Sequence, residues 1–405
     1  MPEAVIVSTA RSPIGRAMKG SLTQVRPDDL AATIVKAALA KVPELDPTLI
    51  EDLIMGSGQP AGEAGFNIAR VTAILAGLPD VPGVTVNRYC SSSLQTIRMA
   101  AHAIKAGEGD VFVAAGVETV SRYMHGMADS GPLNTTFNDA TARTAERATG
   151  EGGPWAPPAG LPDIYIAMGQ TAENVAEFEK VTREEQDQWA AQSQQRATAS
   201  LENGFWADEI TPIDTVDPEG NPVTVTQDDG IRAGTTVEKL ATLQPAFKPG
   251  GTVTAGNACP LNDGAAAVVV MSDTKAKELG ITPLARIVSS GVTGLNPEIM
   301  GLGPVEAIKQ ALGRAGKTVD DIDLFEINEA FAAQVVPSAR DLGISYDKLN
   351  VNGGAIAVGH PFGMTGARIM GTLIHNLQES DKQFGMESMC VGGGQGMSMI
   401  IERLS

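Results

Sequence analysis

The chain has 405 residues, of which 43% are hydrophobic and 19% charged, with 45 glycines and a formal net charge of −18. That length sets a prior of two or three domains of a soluble globular protein. So large an acidic excess argues against a nucleic-acid or anionic-membrane partner, and no apolar run approaches the length of a membrane span. The three cysteines, Cys90, Cys259 and Cys390, are far apart and show no metal-ligand spacing with the four histidines. This predicts free thiols, no metal site and a reducing, cytoplasmic location. The opening Met-Pro-Glu-Ala-Val-Ile-Val lacks the basic region and apolar core of a signal peptide.

In chain order, Val5–Ser8 predicts a strand, and Asp28/Asp29 open a helix with Leu30, Ile34, Val35, Ala38 and Leu39 on one face, closed by Pro43. Ile50–Met55 is a second strand, followed by a glycine-rich turn and a helix over Ile68–Leu75. Val84–Val86 predicts a short buried strand, and Leu94, Ile97, Ala100, Ala101 and Ile104 repeat at helical spacing after it. Asp110–Ala115 is a further strand. This alternation predicts βαβ units and a mostly parallel sheet.

From about Arg122 to Gly250 the texture changes: all three tryptophans and 10 of the 24 prolines lie there, with amphipathic helices over Gln170–Phe178 and Arg183–Leu201. This reads as an inserted subdomain. Gly264–Met271 then looks like a central strand. Next come a helix at Glu306–Ala315, strands at Asp323–Ile327 and Leu349–Asn352, a helix over Gly366–Leu377, and closing strands at Met389–Gly392 and Met397–Glu402. Val86-Asn87 and Val351-Asn352 are 265 residues apart, and Asp52-Leu53 and Asp323-Leu324 are 271 apart. These near-equal offsets point to a tandem duplication. Its halves are residues 1–121 with 251–274, and 275–405, and segment 122–250 hangs from one turn of the first half as a lid or binding lobe.

Cys90 falls on the turn between strand and helix. There it meets the positive end of the helix dipole and backbone N–H groups without helical partners. That environment lowers a thiol pKa and can hold an oxyanion; the alternative is a small buried hydrophobe at a helix start. His360, in Gly359-His-Pro-Phe-Gly-Met-Thr-Gly366, occupies the counterpart turn of the second half, where it could take the Cys90 proton and leave a thiolate–imidazolium pair, or sit as a satisfied turn histidine. Cys390 opens Cys-Val-Gly-Gly-Gly-Gln-Gly as a second acid/base thiol or a buried strand cysteine. Asn328-Glu329 lies at a strand's carboxyl end, where open α/β sheets place their sites, or caps a helix. Gly56-Ser-Gly-Gln-Pro and Gly313-Arg-Ala-Gly-Lys-Thr fail as phosphate motifs, so no nucleotide cofactor is expected.

With these pieces placed, the chain resembles the thiolase family over essentially its full length. The resemblance rests on Asn87-Arg-Tyr-Cys-Ser-Ser-Ser, Asn328-Glu-Ala-Phe-Ala, Gly359-His-Pro-Phe-Gly-Met-Thr-Gly-Ala-Arg368 and Cys390-Val-Gly-Gly-Gly-Gln-Gly. It implies a duplicated, five-layered αβαβα fold with an inserted loop domain that grips coenzyme A, assembled as homodimers or homotetramers. It implies cleavage of a 3-ketoacyl-CoA with CoA as co-substrate and no permanently bound cofactor. Cys90 would be the nucleophile, His360 its base and Cys390 the second proton carrier. One oxyanion hole would come from His360 with a water on Asn328, the other from the N–H groups of Cys90 and Gly392. Met168, Cys259, Phe331 and Arg232 are the expected CoA contacts, Arg232 equally readable as an exposed loop arginine.

Three positions depart from the family pattern: Cys259-Pro260 for Ser-Gly, Ala167 for a histidine common in biosynthetic members, and Ser93 for a glycine after the nucleophile. The resemblance is to the degradative β-oxidation branch, with possible hydratase/dehydrogenase partner subunits. The alternatives are an acetoacetyl-CoA-forming enzyme, a decarboxylating ketosynthase, against which Cys390 argues, and a non-catalytic acyl-CoA-binding protein of the same fold.

Overall fold

The computed structural model describes residues 2–217 and 219–405. The first half runs β1 (Ala4–Arg11), β2 (Gly15–Arg16), α1 (Pro27–Ala40), β3 (Asp52–Gly56), α2 (Ile68–Leu75), β4 (Gly83–Val86), α3 (Ser92–Ala106) and β5 (Val111–Thr119). The insertion carries α4 (Asn138–Ala148), α5 (Met168–Phe178), α6 (Arg183–Glu202), α7 (Phe205–Glu209), the hairpin β6 (Ile213–Val216) and β7 (Pro222–Val225), and α8 (Val237–Ala241). The half then closes with β8 (Asn262–Ser272) and α9 (Asp273–Leu279). The second half runs β9 (Ala285–Gly294), α10 (Gly303–Ala315), β10 (Leu324–Ile327), α11 (Ala332–Leu342), α12 (Ala355–Val358), α13 (Thr365–Glu379), β11 (Phe384–Val391) and β12 (Gln395–Arg403).

Strand alternation builds the layers, because successive side chains leave opposite faces. In β5, Val111, Val113 and Ala115 pack outward with Leu30, Ile34 and Val35 of α1 and Ile68 and Ala69 of α2. Phe112 and Ala114 pack inward with Leu94, Ile97 and Ile104 of α3 and Met370, Leu373 and Ile374 of α13. The second half's Met389, Met397, Met399 and Ile401 face the same inner layer, while Met386, Phe325 and Ile400 face α10 and α11 outside. Helices therefore lie outside each half and between them. The two central helices cross closely at Gly366, where a Cβ would lie 2.4 Å from the Leu94 nitrogen.

The strand order is β10-β11-β12-β9-β1-β8-β5-β3-β4, and within the sheet the halves pair through Val5 and Ile6 against Arg286 and Ala285. The mostly parallel sheet expected from the βαβ rhythm is corrected. β3–β4, β3–β5 and β10–β11 are parallel, but the pairings of β1, β2, β8, β9 and β12 are antiparallel. The reason is connectivity. β11 and β12 share a tight turn, too short for the crossover that parallel strands need, and β5 and β8 hold the same antiparallel relation at the two ends of the insertion. Val84–Val86 forms the expected strand but not a buried one: it is the sheet's last strand, with Val84 exposed. Leu349–Asn352 forms no strand, contributing one bridge between Leu349 and Phe325.

The insertion is tied to the first half by a buried ion network. Arg11 of β1 donates from Nε to Glu209 (2.9 Å) and from both terminal nitrogens to Asp228 (2.8 and 3.0 Å). Asp228 also accepts the Ile14 N–H. Every member is buried and the cation meets two carboxylates, the condition under which a buried charge is tolerated.

Candidate active site

The turn carrying Cys90 is over-determined by its neighbours. Tyr89 has φ +43°, a left-handed conformation that costs a non-glycine residue about 1 kcal/mol or more. It is held there because its N–H donates to Asn87 Oδ1 (2.8 Å), while Ser92 Oγ donates to Tyr89 O (2.7 Å) and accepts from Arg88 N (2.9 Å). Arg88 then bonds Gln95 and Gln395, and Gln395 Nε2 donates to Gly392 O. The nucleophile turn and the closing glycine turn are thus fastened together. The latter reverses through Gly393 and Gly394, both at φ +77°.

Cys90 lies on the wall of a cavity of about 530 Å³ with Gly58, Gln59, Tyr89, Phe362 and Gly392. The insertion supplies the facing wall, including Leu133, Ile164, Ile166, Ala167 and Met168. The backbone N–H groups of Gly392 and of Cys90 itself pull the Cys90 thiol pKa down. The expected low thiol pKa is corrected: burial pushes Cys90 up to about 11, these N–H groups oppose that rise, and the Glu118 charge adds to it.

His360 is buried, its backbone N–H held by Asn262 Oδ1 (2.9 Å). Its Nδ1 lies 2.7 Å from Thr365 Oγ1, which donates its one proton to Pro361 O. Thr365 must therefore accept from Nδ1–H, leaving Nε2 as the ring's lone-pair nitrogen. Nε2 faces Asn328 Nδ2 at 3.3 Å. Burial, with Arg368 adding to it, pushes His360 down to about 3, so the free chain holds a neutral thiol and a neutral imidazole rather than the expected ion pair.

Asn328 follows β10 directly; its backbone N–H donates to Ser388 O and its carbonyl accepts from Gln334. Its Oδ1 is buried and makes no hydrogen bond within the described residues. Behind it, Glu329 accepts from Trp189 and Ser193 of α6, from Asn350 and from the Ile356 N–H, joining the insertion to the second half. Cys390, at the end of β11, is fully buried, and burial raises its thiol pKa well above the usual value. Charge on Cys90 or Cys259 would raise it further, which places the three sulfurs in one neighbourhood.

The remaining expected residues divide. Met168 opens α5 on the Cys90 cavity. Phe331 pairs with Ala258 across an isolated bridge, and Cys259 and Met168 pack on the apolar cluster that holds Phe331 and Cys390. Arg232 is exposed and sits on a separate cavity of about 50 Å³ with Arg16, Gln194 and Pro260. Ser93 finds a partner across the interior: its Oγ accepts the Ala367 N–H of α13 (2.9 Å). The Thr365 and Asn262 contacts to His360, and the Glu118 contact to Gly363, are ones that sequence reading missed. For Thr365 the available signal was a hydroxyl five residues after a turn histidine.

A model of the thiolase N-terminal domain matches residues 4–274, and one of the thiolase C-terminal domain matches residues 281–403. A 3-ketoacyl-CoA thiolase of Bacillus subtilis is 45% identical, covering 99% of this chain and all of the relative. A 3-ketoacyl-CoA thiolase of Shewanella frigidimarina is 44% identical over the whole of both chains. The crystal structure of the Bacillus anthracis acetyl-CoA acetyltransferase superposes with a TM-score of 0.86 at 40% identity, covering 100% of this chain and 99% of that one.

Proposed function

The chain belongs to the thiolase family, and from that premise we propose that it cleaves 3-ketoacyl-CoA with CoA, at the Cys90 cavity, to acetyl-CoA and a shortened acyl-CoA. The observation that carries this reading is a buried cysteine just before α3, on the wall of a partly apolar cavity that Gly392 of the closing turn and Phe362 of the His360 loop also line. The Gly392 and Cys90 N–H groups, which pull the thiol pKa down, would stabilise a thiolate and, once the thioester forms, the oxyanion on its carbonyl.

His360 Nε2 would take the Cys90 proton as the sulfur adds to the 3-keto carbon. Its new N–H, with a water on Asn328 Oδ1, would hold the resulting alkoxide. Collapse of that alkoxide breaks the C2–C3 bond, leaving the acyl group on Cys90 and the electron pair on the acetyl-CoA enolate, which takes its proton from Cys390. The Cys390 thiolate would then take the proton of incoming CoA. The CoA sulfur would attack the acyl carbonyl, whose oxyanion would face the Gly392 and Cys90 N–H groups, and Cys90 would leave and take its proton back from His360. CoA is a co-substrate in this cycle, and no permanently bound cofactor enters it.

Segment 122–250 would cover the ligand, with Met168, Cys259 and Phe331 toward the pantetheine arm and Arg232 toward the nucleotide end. Leu133 and Ile164, both exposed at the cavity, favour an alkyl chain longer than acetyl, hence a β-oxidation role over acetoacetyl-CoA synthesis. No helix among the described residues is long and apolar enough to cross a membrane. We assign the protein to the cytoplasm as a homodimer or pair of dimers; hydratase/dehydrogenase subunits would be its natural suppliers of substrate.

The test is CoA-dependent loss of 3-ketoacyl-CoA enolate absorbance across a panel of chain lengths. We expect turnover to rise beyond the four-carbon substrate and to fall at least a thousandfold in Cys90→Ala. An undiminished rate in that variant would sink the assignment.

A further inference from the structure

Glu118 lies near the carboxyl end of β5 with 2% of its surface exposed. One carboxylate oxygen accepts the N–H groups of Gly58 (2.6 Å) and Gly363 (2.8 Å). The other accepts the Gln59 N–H (3.2 Å) and the Tyr123 hydroxyl (3.0 Å). Gly58 and Gln59 follow β3 in the first half, whereas Gly363 belongs to the second half's His360-Pro-Phe-Gly loop. A single buried oxygen therefore joins the turn after β3 in the first half to the loop that carries His360 in the second. The fit leaves no slack: a Cβ on Gly58 would lie 2.8 Å from that oxygen, and one on Gly363 would lie 2.5 Å from Val117 O. Gly58 and Phe362, the neighbours of these contacts, line the Cys90 cavity.

We infer that Glu118 is a positioning residue that clamps the His360 loop of the second half onto the Gly58–Gln59 turn of the first, setting the approach of His360 to Cys90. The inference rests on the reading of Cys90 and His360 as the reacting pair. The clamp does not depend on ionisation. Burial pushes Glu118 up to about 7 against the pull of its four donors. If it is protonated, the hydroxyl can donate to Tyr123, the only partner able to accept, while the carbonyl oxygen keeps the Gly58 and Gly363 N–H groups. The charged or titratable groups around it are Tyr123 and Cys90, with Asp263 beyond Tyr123. A glutamine keeps one oxygen for the Gly58 and Gly363 N–H groups and donates its amide to Tyr123, giving up only the Gln59 N–H; an alanine removes the clamp.

The test compares Glu118→Ala, Glu118→Gln and wild type by hydrogen–deuterium exchange and steady-state kinetics. Peptides covering residues 57–60 and 359–364 should exchange at least tenfold faster in Glu118→Ala, and the 359–364 peptide should exchange as in wild type in Glu118→Gln. Thiolytic kcat should fall at least tenfold in Glu118→Ala with KM for CoA changed less than threefold, and Glu118→Gln should restore kcat to within threefold. A Glu118→Ala chain with unchanged exchange at both loops, or a Glu118→Gln chain as impaired as Glu118→Ala, would overturn the inference. The exchange arm reads the clamp without turnover, so absent thiolysis in wild type would count against the assigned activity and not against the clamp.

Discussion

Burial sets the protonation of the reacting pair. A thiol near 11 and an imidazole near 3 make the thiolate scarce at pH 7 and leave His360 nothing to release above acid pH. In the proposed cycle His360 would then work as a general base during attack rather than through a standing ion pair. The sign follows directly: each rise of one pH unit below the thiol pKa multiplies the thiolate fraction about tenfold. Iodoacetamide labelling of Cys90 in the ligand-free chain should therefore climb about tenfold per unit from pH 7 to 9. A plateau already reached at pH 7 would show a preformed thiolate–imidazolium pair. At this scale the candidate residues Cys90, His360 and Cys390 were legible because each sits in a short motif at a strand-to-helix or glycine turn. Their supports were not, because Asn262 meets His360 across 98 positions and Glu118 meets Gly363 across 245. Local spacing carries no trace of such contacts.

Whole elements were easier to read, and the exceptions have local causes. Leu349–Asn352 carries strand-like residues, but the Asn350 side chain takes the partners a strand would use: its Oδ1 accepts the Ile327 N–H and its Nδ2 donates to Ile327 O. With Asn350 at φ +47°, the segment turns instead of pairing. Ser93 shows the reverse case, a departure from family pattern that the packing uses. The residue preceding α13, Met364, offers no side-chain cap, and Ser93 on α3 accepts the Ala367 N–H in that helix's first turn, acting as a cap from across the interior. Ser93→Ala leaves this N–H buried without its acceptor, a loss of about 1–3 kcal/mol. Urea unfolding should show the midpoint shifted down by that loss divided by the slope, with the slope unchanged; a midpoint equal to wild type would show that the two central helices hold without the bond.

For the whole molecule, the repeated offsets foretold two related halves, and packing added what pattern could not: where the assembly ends. The sheet stops at β4, whose outer edge is a pairing template of the kind proteins usually cover. Ser57 N donates to Val86 O and Leu53 N to Pro82 O, so the even-numbered backbone positions of β4 face β3 and those of Gly83 and Thr85 face outward. Asn67 Nδ2 occupies the Gly83 carbonyl, which leaves Thr85 as the edge's open backbone pair. Exposed apolar side chains gather around it: Phe66 is 95% exposed, and Ile74, Leu75 and Val84 are also exposed. Phe66 and Asn67 both have positive φ, so the backbone holds the ring out at a conformational cost. An antiparallel Thr85–Thr85 contact across a two-fold axis would satisfy the open N–H and C=O of both copies and cover this apolar rim, the isologous arrangement of a closed dimer. Light scattering at micromolar concentration should give twice the chain mass for wild type and the single-chain mass for a Phe66→Asp/Val84→Asp variant. These charges would be desolvated only in the interface, so circular dichroism should remain native. A monomeric wild type, or a variant that keeps the doubled mass, would remove β4 as the dimer edge.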